Sequence, residues 1–390
     1  MANQSFMPCR GIDNVSEDEA MVQGGREPYV YVRDANNVNV TPAGKIEMIA
    51  SGGKVTDSRF QNLWQSPLHK DVFAILGNVW VKVNTNDWSY STLADIGSSD
   101  LFHTVLNNLV VVAGKHGIYT YDGQTCQRLT IDAPPPPFLA TLIADHTRTR
   151  SIAISWLRGS MESSLSSYVS MGADGDIALP MVTDPTVTGV NIYATSVGGT
   201  DMQLAGTVNR DATSFTITND HKLGMAAQFA HLSPMPTGKY LCYWRGRLIT
   251  ATANVIRFSE PLAYHLHDER HGFIQTSQRV TFIQPVENGL WVGQVDHVIF
   301  ISGTSPEDMT ISIKSAQAPI PNSAIQIPSN DIGEVSEGGS LVTVWLASNG
   351  YVAGSSAGQI VEYQAGRISN ISAQSGTTVR FDRRLVTAVN

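Results

Sequence analysis

The chain is predicted to be all-β: a β-propeller with five or six blades visible, interrupted by an inserted Ig/fibronectin-III-like β-sandwich. Three observations lead there. Helical periodicity is scarce, whereas short alternating apolar and polar runs bounded by Gly, Asn and Asp recur along the 390 residues. One hairpin pattern is written five times. The spacing between its copies is blade-like and is broken once by a gap of sandwich size.

The copies are residues 70–83 (KDVFAILGNVWVKV), 108–123, 246–260, 289–303 and 350–366. Each is a strand, a tight turn and a second strand rich in aromatic or β-branched residues. The turns fall at Gly77-Asn78, Lys115-His116-Gly117, Ala253-Asn254, Val295-Asp296-His297 and Ala357-Gly358, several of which tolerate left-handed backbone. Asp71 and Leu109 are 38 residues apart, and Arg247 and Leu290 are 43 apart, close to a four-stranded blade. Leu290 to Tyr351 is 61, a blade with a long loop, and Leu109 to Arg247 is 138. That last gap holds one blade plus roughly 100 residues, the size of an Ig-like sandwich.

Proline marks both borders of the insert. Pro134, Pro135, Pro136 and Pro137 open it, and Pro234 and Pro236 close it. Proline cannot donate to a strand ladder and stiffens a connection, so both ends are expected to be semi-rigid struts. Trp156 in SIAISWL is the expected core anchor of two packed sheets. The division is therefore 1–132 (N-terminal hairpin and first blades), 133–236 (insert) and 237–390 (remaining blades and closing strands).

Bulk numbers narrow the function classes. Net charge is −8 and charged residues are only 15%, which argues against a groove gripping nucleic-acid phosphates. The basic spots HTRTR (146–150), YWRGR (243–247) and FDRRL (381–385) are short. Tyr243, Trp244 and Arg245, the one set able to stack a base, sit where a strand enters the third repeat. Cys9, Cys126 and Cys242 are odd in number and far apart, and read as buried free thiols. The opening residues lack a signal-peptide core and no segment has the length of a membrane span, so a protein made in the cytosol and remaining soluble is expected.

Chemistry has one candidate, His265, His267 and Glu269 in YHLHDERHGF. As a strand these three share a face and could present ligands to zinc. As a solvated or interface loop they need no metal, and that reading is preferred because no partner cluster stands elsewhere in the sequence. Asp174 and Asp176 look like a turn rather than an acid/base pair. Neither Gly-x-Ser-x-Gly nor a phosphate-binding Gly-rich loop with Lys is present. No cofactor and no enzymatic activity are expected.

The segment VRDANNVNVTPAGKIEM (32–48) reads as a hairpin turning at Thr41-Pro42-Ala43-Gly44, with Asp34, Asn36 and Asn37 bonded to nearby backbone. It is expected to pair with C-terminal strands such as TTVRFD and close the ring of blades. The order GIDNVSEDEAM, YVRDANNVNVTPAGKIEM, LWQSPLHKDVFAILGNVWVKV, then PPPP, VNIYATSVGGTDMQLAGTV, GRLITATANVIRFSEPL and NGLWVGQVDHVIFISG resembles the tail nozzle (tail tubular protein B type) family of tailed bacteriophages. Arg33, Asp34, Ala35, Asn37, Val38 and Gly44 are the matching motif positions.

The resemblance implies a virion protein made in the host cytoplasm and built into the phage tail as a six-fold homo-oligomeric ring around the DNA exit channel. Its partners would be tail adaptor proteins, tail fibres or spikes, and viral DNA passing non-specifically through the lumen, with no membrane insertion. An alternative keeps the fold but makes it a receptor-facing tail component binding host surface glycan, with Tyr168 and Tyr193 as exposed aromatics. A third is a propeller glycoside hydrolase, which needs a convergent carboxylate or metal cluster.

Overall fold

Where apolar and polar residues alternate, one face of the run can bury while the other stays wet, and here such runs form antiparallel strands. The computed structural model describes residues 7–49, 52–98, 100–140, 148–228, 231–314, 317–331, 340–381 and 384–390. Helix among these is limited to two short 3-10 turns, Asp18–Met21 and Ser329–Asp331, so the chain is all-β.

Five four-stranded antiparallel sheets carry the repeat. The first holds Gln61–Gln65, Val72–Leu76, Val79–Val83 and Tyr90–Asp95, and the second Phe102–Leu106, Leu109–Gly114, Gly117–Tyr121 and Cys126–Arg128. The third holds Lys239–Trp244, Arg247–Thr252, Val255–Phe258 and Phe273–Gln275. The fourth is Val280–Val286, Gly289–Gln294, Val298–Ser302 and Thr310–Ile313, and the fifth Ile325–Pro328, Leu341–Ala347, Gly350–Gly354 and Ile360–Glu362. Within each, neighbours pair in chain order, the up-and-down build of a propeller blade.

The sequence repeat is the middle pair of strands in the first four sheets. In the fifth it is the last pair, so that copy is one strand out of phase with the others. Two turns escaped the sequence reading. Asn107-Asn108 (φ 46° and 63°) and Arg245-Gly246 (φ 45° and 76°) have the paired left-handed residues of a type I′ turn, which matches strand twist.

Contacts divide the chain into two compact units, Phe60–Gln275 and Met1–Arg59 with Thr276–Asn390. In the contiguous unit, Phe73, Ile75, Trp80, Val110, Val112 and Tyr121 fill one core between the first two sheets. Leu106, Ile118, Leu241 and Leu248 fill another between the second and third. In the discontinuous unit, Phe282, Trp291, Phe300 and Trp345 pack the fourth sheet on the fifth, with Trp291 and Trp345 ring centres 5.5 Å apart.

Residues 138–217 form a two-sheet sandwich. Phe138–Leu139, Gly175–Ala178 and Ser214–Ile217 make one sheet. Thr149–Arg158 is central in the other, flanked by Gly189–Ala194 and Gln203–Asn209 on one side and by Met161–Glu162 and Val169–Gly172 on the other. Ile152, Ile154, Trp156, Ile177, Ile192 and Ile217 share its core, so Trp156 does anchor both sheets. Ala153 and Ser155, on the opposite face of the central strand, are buried as well. A strand buried on both faces belongs to a module that is covered, not one standing free.

The entering strut is a proline run with a period of three: Pro134 and Pro137 are buried, Pro135 and Pro136 exposed, as the three residues per turn of a polyproline helix require. The exit differs from expectation. Leu232–Pro234 is a strand paired with Leu266–Asp268, so Pro234 is part of a ladder, and the Pro236 carbonyl accepts from the Thr250 hydroxyl at 3.1 Å.

In the discontinuous unit, Cys9–Ile12 runs parallel to Tyr29–Val32, which also pairs with Val22–Gln23. The single long strand expected from YVYVRDANNVNV is therefore two, Tyr29–Val32 and Val38–Val40, separated by a bend where Asn37 is left-handed (φ 57°). Val38–Val40 pairs with Ile46–Met48. The C-terminal Gly376–Phe381 pairs with Arg384–Val389. Each hairpin is its own two-stranded sheet, so the expected pairing between them is absent among the described residues.

Candidate functional site

The residues that carry the resemblance mostly hold local structure. The Gly44 N–H donates to the Thr41 carbonyl (2.8 Å), closing the Thr41-Pro42-Ala43-Gly44 turn, and the Gly44 carbonyl accepts from the Cys9 N–H (2.9 Å). Gly44 sits at φ 79°, and a Cβ there would stand 2.3 Å from the Pro8 Cβ, so only glycine fits. Asp34 accepts from the Ala35 N–H (2.7 Å), Asn37 offers its carbonyl to the Ile49 N–H (3.0 Å), and Val38 lies on the hairpin. Arg33 pairs with exposed Asp18 at 2.6 Å.

The join to the C-terminal segment is made elsewhere. Asn14 exchanges bonds with Ser369, its N–H donates to the Arg367 carbonyl (2.9 Å), and the Arg367 guanidinium lies 4.7 Å over the Tyr31 ring. Arg384 donates to the Asn39 side chain at 2.6 Å, a touch between hairpins that stands in for the expected ladder. Asn14 carried no sequence signal beyond lying in a polar N-terminal run.

Burial rules out a solvated loop for the two histidines of the cluster. His265 and His267 are buried, Glu269 is exposed, and no group of three His, Cys, Asp or Glu among the described residues is placed to hold an ion. His265 Nε2 lies 2.8 Å from the Glu162 carbonyl, and His267 Nδ1 lies 2.9 Å from the Phe258 carbonyl. Burial lowers the pKa of both.

His265 leads to a polar junction in which one carboxylate oxygen of buried Glu162 accepts from three donors. They are the Asn191 amide (2.9 Å), the Tyr193 hydroxyl (2.7 Å) and the Ser155 hydroxyl. The register pairs Ser155 with Asn191 and Ala153 with Tyr193, which puts the donors on the sandwich face away from its apolar core. Tyr193 is thus buried, not an exposed aromatic, and burial followed by Glu162 raises its pKa. Tyr168 is 71% exposed. An acceptor saturated by fixed donors is suited to structure rather than acid–base work.

The other candidates resolve locally. Asp176 accepts from Thr216 (2.5 Å) and Asp174 from the Asn219 N–H, so they are strand-end fixtures. Trp244 is buried under Arg245, 4.9 Å away, and does not offer a stacking face. His146 and Thr147 of the first basic spot, and Asp382 and Arg383 of the last, lie outside the described residues. The cysteines are free, with Cys9 and Cys242 buried and Cys126 half-buried, and burial pushes the Cys126 thiol up to about 11.

A cavity of about 390 Å³ opens on the first sheet. It lies by two loops of the same construction at the same end of that sheet. In one, Ser66 N–H bonds the Asp71 carbonyl (2.8 Å) and Lys70 N–H bonds the Ser66 carbonyl (3.0 Å). In the other, Asn84 N–H bonds the Ser89 carbonyl (2.9 Å) and Trp88 N–H bonds the Asn84 carbonyl (2.8 Å). Each loop needs a left-handed residue before its second strand, a position glycine or asparagine favours, yet Lys70 and Trp88 (both φ 59°) occupy them. That conformation costs about 1–2 kcal/mol for such residues. Trp88 gains contact with Phe60, ring centres 6.4 Å apart.

No protein-family description matches the sequence, and no curated protein does either. Among solved structures, the chain is similar to the BBS1N domain crystallised with ARL6DN (TM-score 0.33, 11% identity, 85% of this chain and 90% of that one). It is similar to the N-terminal domain of Nup159 (TM-score 0.33, 8% identity, 98% and 87%). The extracellular domain of the hybrid two component system BT4673 from B. thetaiotaomicron also matches (TM-score 0.33, 10% identity), and the chain spans 36% of its length while covering 80% of its own. Likeness at this level carries neither fold nor function; the strand pairings carry the architecture.

Proposed function

We propose that this chain is a structural subunit of a bacteriophage tail, a β-propeller with an Ig/fibronectin-III-like insert. Six copies close a nozzle or hub ring around the DNA exit channel, below the tail adaptor, and carry fibres or spikes. The observation that carries this reading is exposed apolar side chains on both terminal hairpins. In the N-terminal hairpin, Val38 pairs with Met48 and Val40 with Ile46, so all four share a face on which the valines are half-buried, Ile46 is exposed and Met48 is 86% exposed. In the C-terminal hairpin, Val379 pairs with Val386 on the face that also holds Phe381, and all three are exposed.

Two-stranded hairpins are marginal alone, and an apolar outer face asks for a partner. A second copy of the chain answers this, because head-to-tail contacts that close make rings. The family resemblance of the 33–44 motif and a net charge of −8, which lets DNA slide past, support the same reading. Electron micrographs and light scattering of purified protein test it. Closed rings are expected, and a strict monomer at all concentrations rejects it.

The 71% exposure of Tyr168 favours a second reading, a receptor-facing component whose sandwich meets host glycan. Particles imaged with labelled protein separate the two: an axial ring supports the first and a peripheral appendage the second.

A further inference from the structure

We propose that the cavity on the first sheet binds an acidic saccharide, the sugar ring lying on Tyr90 and its carboxylate meeting Lys70. This goes beyond the structural role and does not depend on ring assembly. The volume, about 390 Å³, falls within the ~300–1,000 Å³ of small-ligand sites.

Charge at the site is asymmetric. Lys82 is held by Asp71 at 2.9 Å and lies 5.6 Å over the Tyr121 ring, so it is already engaged. Lys70, in contrast, is exposed and makes no ion pair among the described residues. Trp88 recovers ring packing from its left-handed position, whereas the Lys70 side chain makes neither a ring contact nor an ion pair among the described residues. A strained cation with no counter-charge beside a cavity points to a ligand that completes it.

The remaining lining selects the ligand class. Tyr90 is 48% exposed and offers a flat ring edge-on to Phe60 at 5.9 Å, which fixes its orientation. Sugar C–H faces pack on such rings while their hydroxyls need amide and hydroxyl partners, and Asn84 and Thr85 in the lining carry such groups. No arginine lines the cavity, so the anion meets a single ammonium, which takes carboxylate and phosphate alike; the exposed Tyr90 ring is what favours a sugar as its carrier.

Calorimetric titration of the full chain with trigalacturonate, neutral galactotriose and inorganic phosphate tests this. Trigalacturonate is expected to bind about fivefold or more tightly than galactotriose, a margin one charge-assisted bond can supply. Lys70→Asn removes the charge while suiting the left-handed backbone. It should raise or preserve Tm, weaken trigalacturonate about tenfold and leave galactotriose unchanged. Tyr90→Ala should weaken both sugars. The proposal is overturned by absence of saturable trigalacturonate binding, by wild-type affinity in Lys70→Asn, or by phosphate competing as well as the sugar.

Discussion

Asn14 and Ser369 hydrogen-bond each other in both directions: the Asn14 amide donates to the Ser369 carbonyl (3.1 Å), and the Ser369 N–H donates to the Asn14 amide oxygen (2.9 Å). With the Asn14 N–H on the Arg367 carbonyl, one asparagine satisfies three backbone or side-chain groups across the two ends of the discontinuous unit.

Asn14→Ala removes the two side-chain bonds, and because the site is exposed the loss should be modest, about 1–2 kcal/mol. Asn14→Asp keeps an acceptor and loses the donor, so it should fall between. Thermal melts and limited proteolysis of the N-terminal segment read both. An unchanged Tm with unchanged protection counts against the join.

Two glycines with left-handed backbone should behave differently on mutation to alanine. Gly77 (φ 67°) has nothing within 4 Å of an added Cβ, so Gly77→Ala should cost about 1 kcal/mol of backbone strain. Gly44→Ala adds a clash with Pro8 and should cost about 2–4 kcal/mol. Equal denaturant midpoints for the two variants would falsify the close approach.

The Glu162 junction predicts an asymmetry of a different kind. Glu162→Ala strands buried donors on Ser155, Asn191 and Tyr193 and should destabilise by about 3 kcal/mol or more. Tyr193→Phe deletes one donor and leaves the carboxylate two, so about 1–2 kcal/mol is expected. Urea unfolding that ranks them the other way removes Glu162 from the centre of the network.

Acid should destabilise the protein before its carboxylates titrate. The Trp80 indole donates to His103 Nε2 (3.0 Å), Trp64 stacks on the ring at 4.8 Å, and burial holds the His103 pKa at about 3 against an ordinary 6.5. With the folded pKa depressed, the unfolded chain binds the proton first. The contribution of neutral His103 is therefore complete above about pH 6.5 and is lost as pH falls towards 3, at up to about 1.4 kcal/mol per unit. His265 and His267, lowered by burial, act in the same direction. His103→Gln keeps an acceptor without the titration, and its stability between pH 7 and pH 4 should fall less steeply than that of the wild type.

Assembly should be separable from folding. Met48→Lys and Phe381→Lys place charge on the exposed apolar faces and should leave the unfolding free energy within about 0.5 kcal/mol of the parent. Under the ring reading they should shift the light-scattering mass towards monomer. Intact rings in both variants would move the subunit contact elsewhere.

Strand identity was legible because alternation over four to seven residues declares a half-buried strand, and Trp156 declared a core. The fifth repeat was misphased because GYVAGSSAGQIVEYQAG follows the same grammar as a middle hairpin, while its true neighbour LVTVWLA carries no turn glycine. His265 and His267 misled because imidazole serves metal, solvent and backbone carbonyls equally well, and only the fold shows which is near. Glu162 gave no sign at all: its donors lie 7, 29 and 31 residues away. Lys70 and Trp88 were hidden because left-handed backbone is readable from sequence only when glycine or asparagine announces it.

The split of the chain into a contiguous and a discontinuous unit bears on its birth at the ribosome. Phe60–Gln275 can close its cores while later residues are still being translated. Asn14 emerges early, yet its partner lies 355 residues downstream. At about 5–20 residues per second the N-terminal segment waits roughly 20–70 s for that partner, and over that interval its apolar hairpin is a client for chaperones.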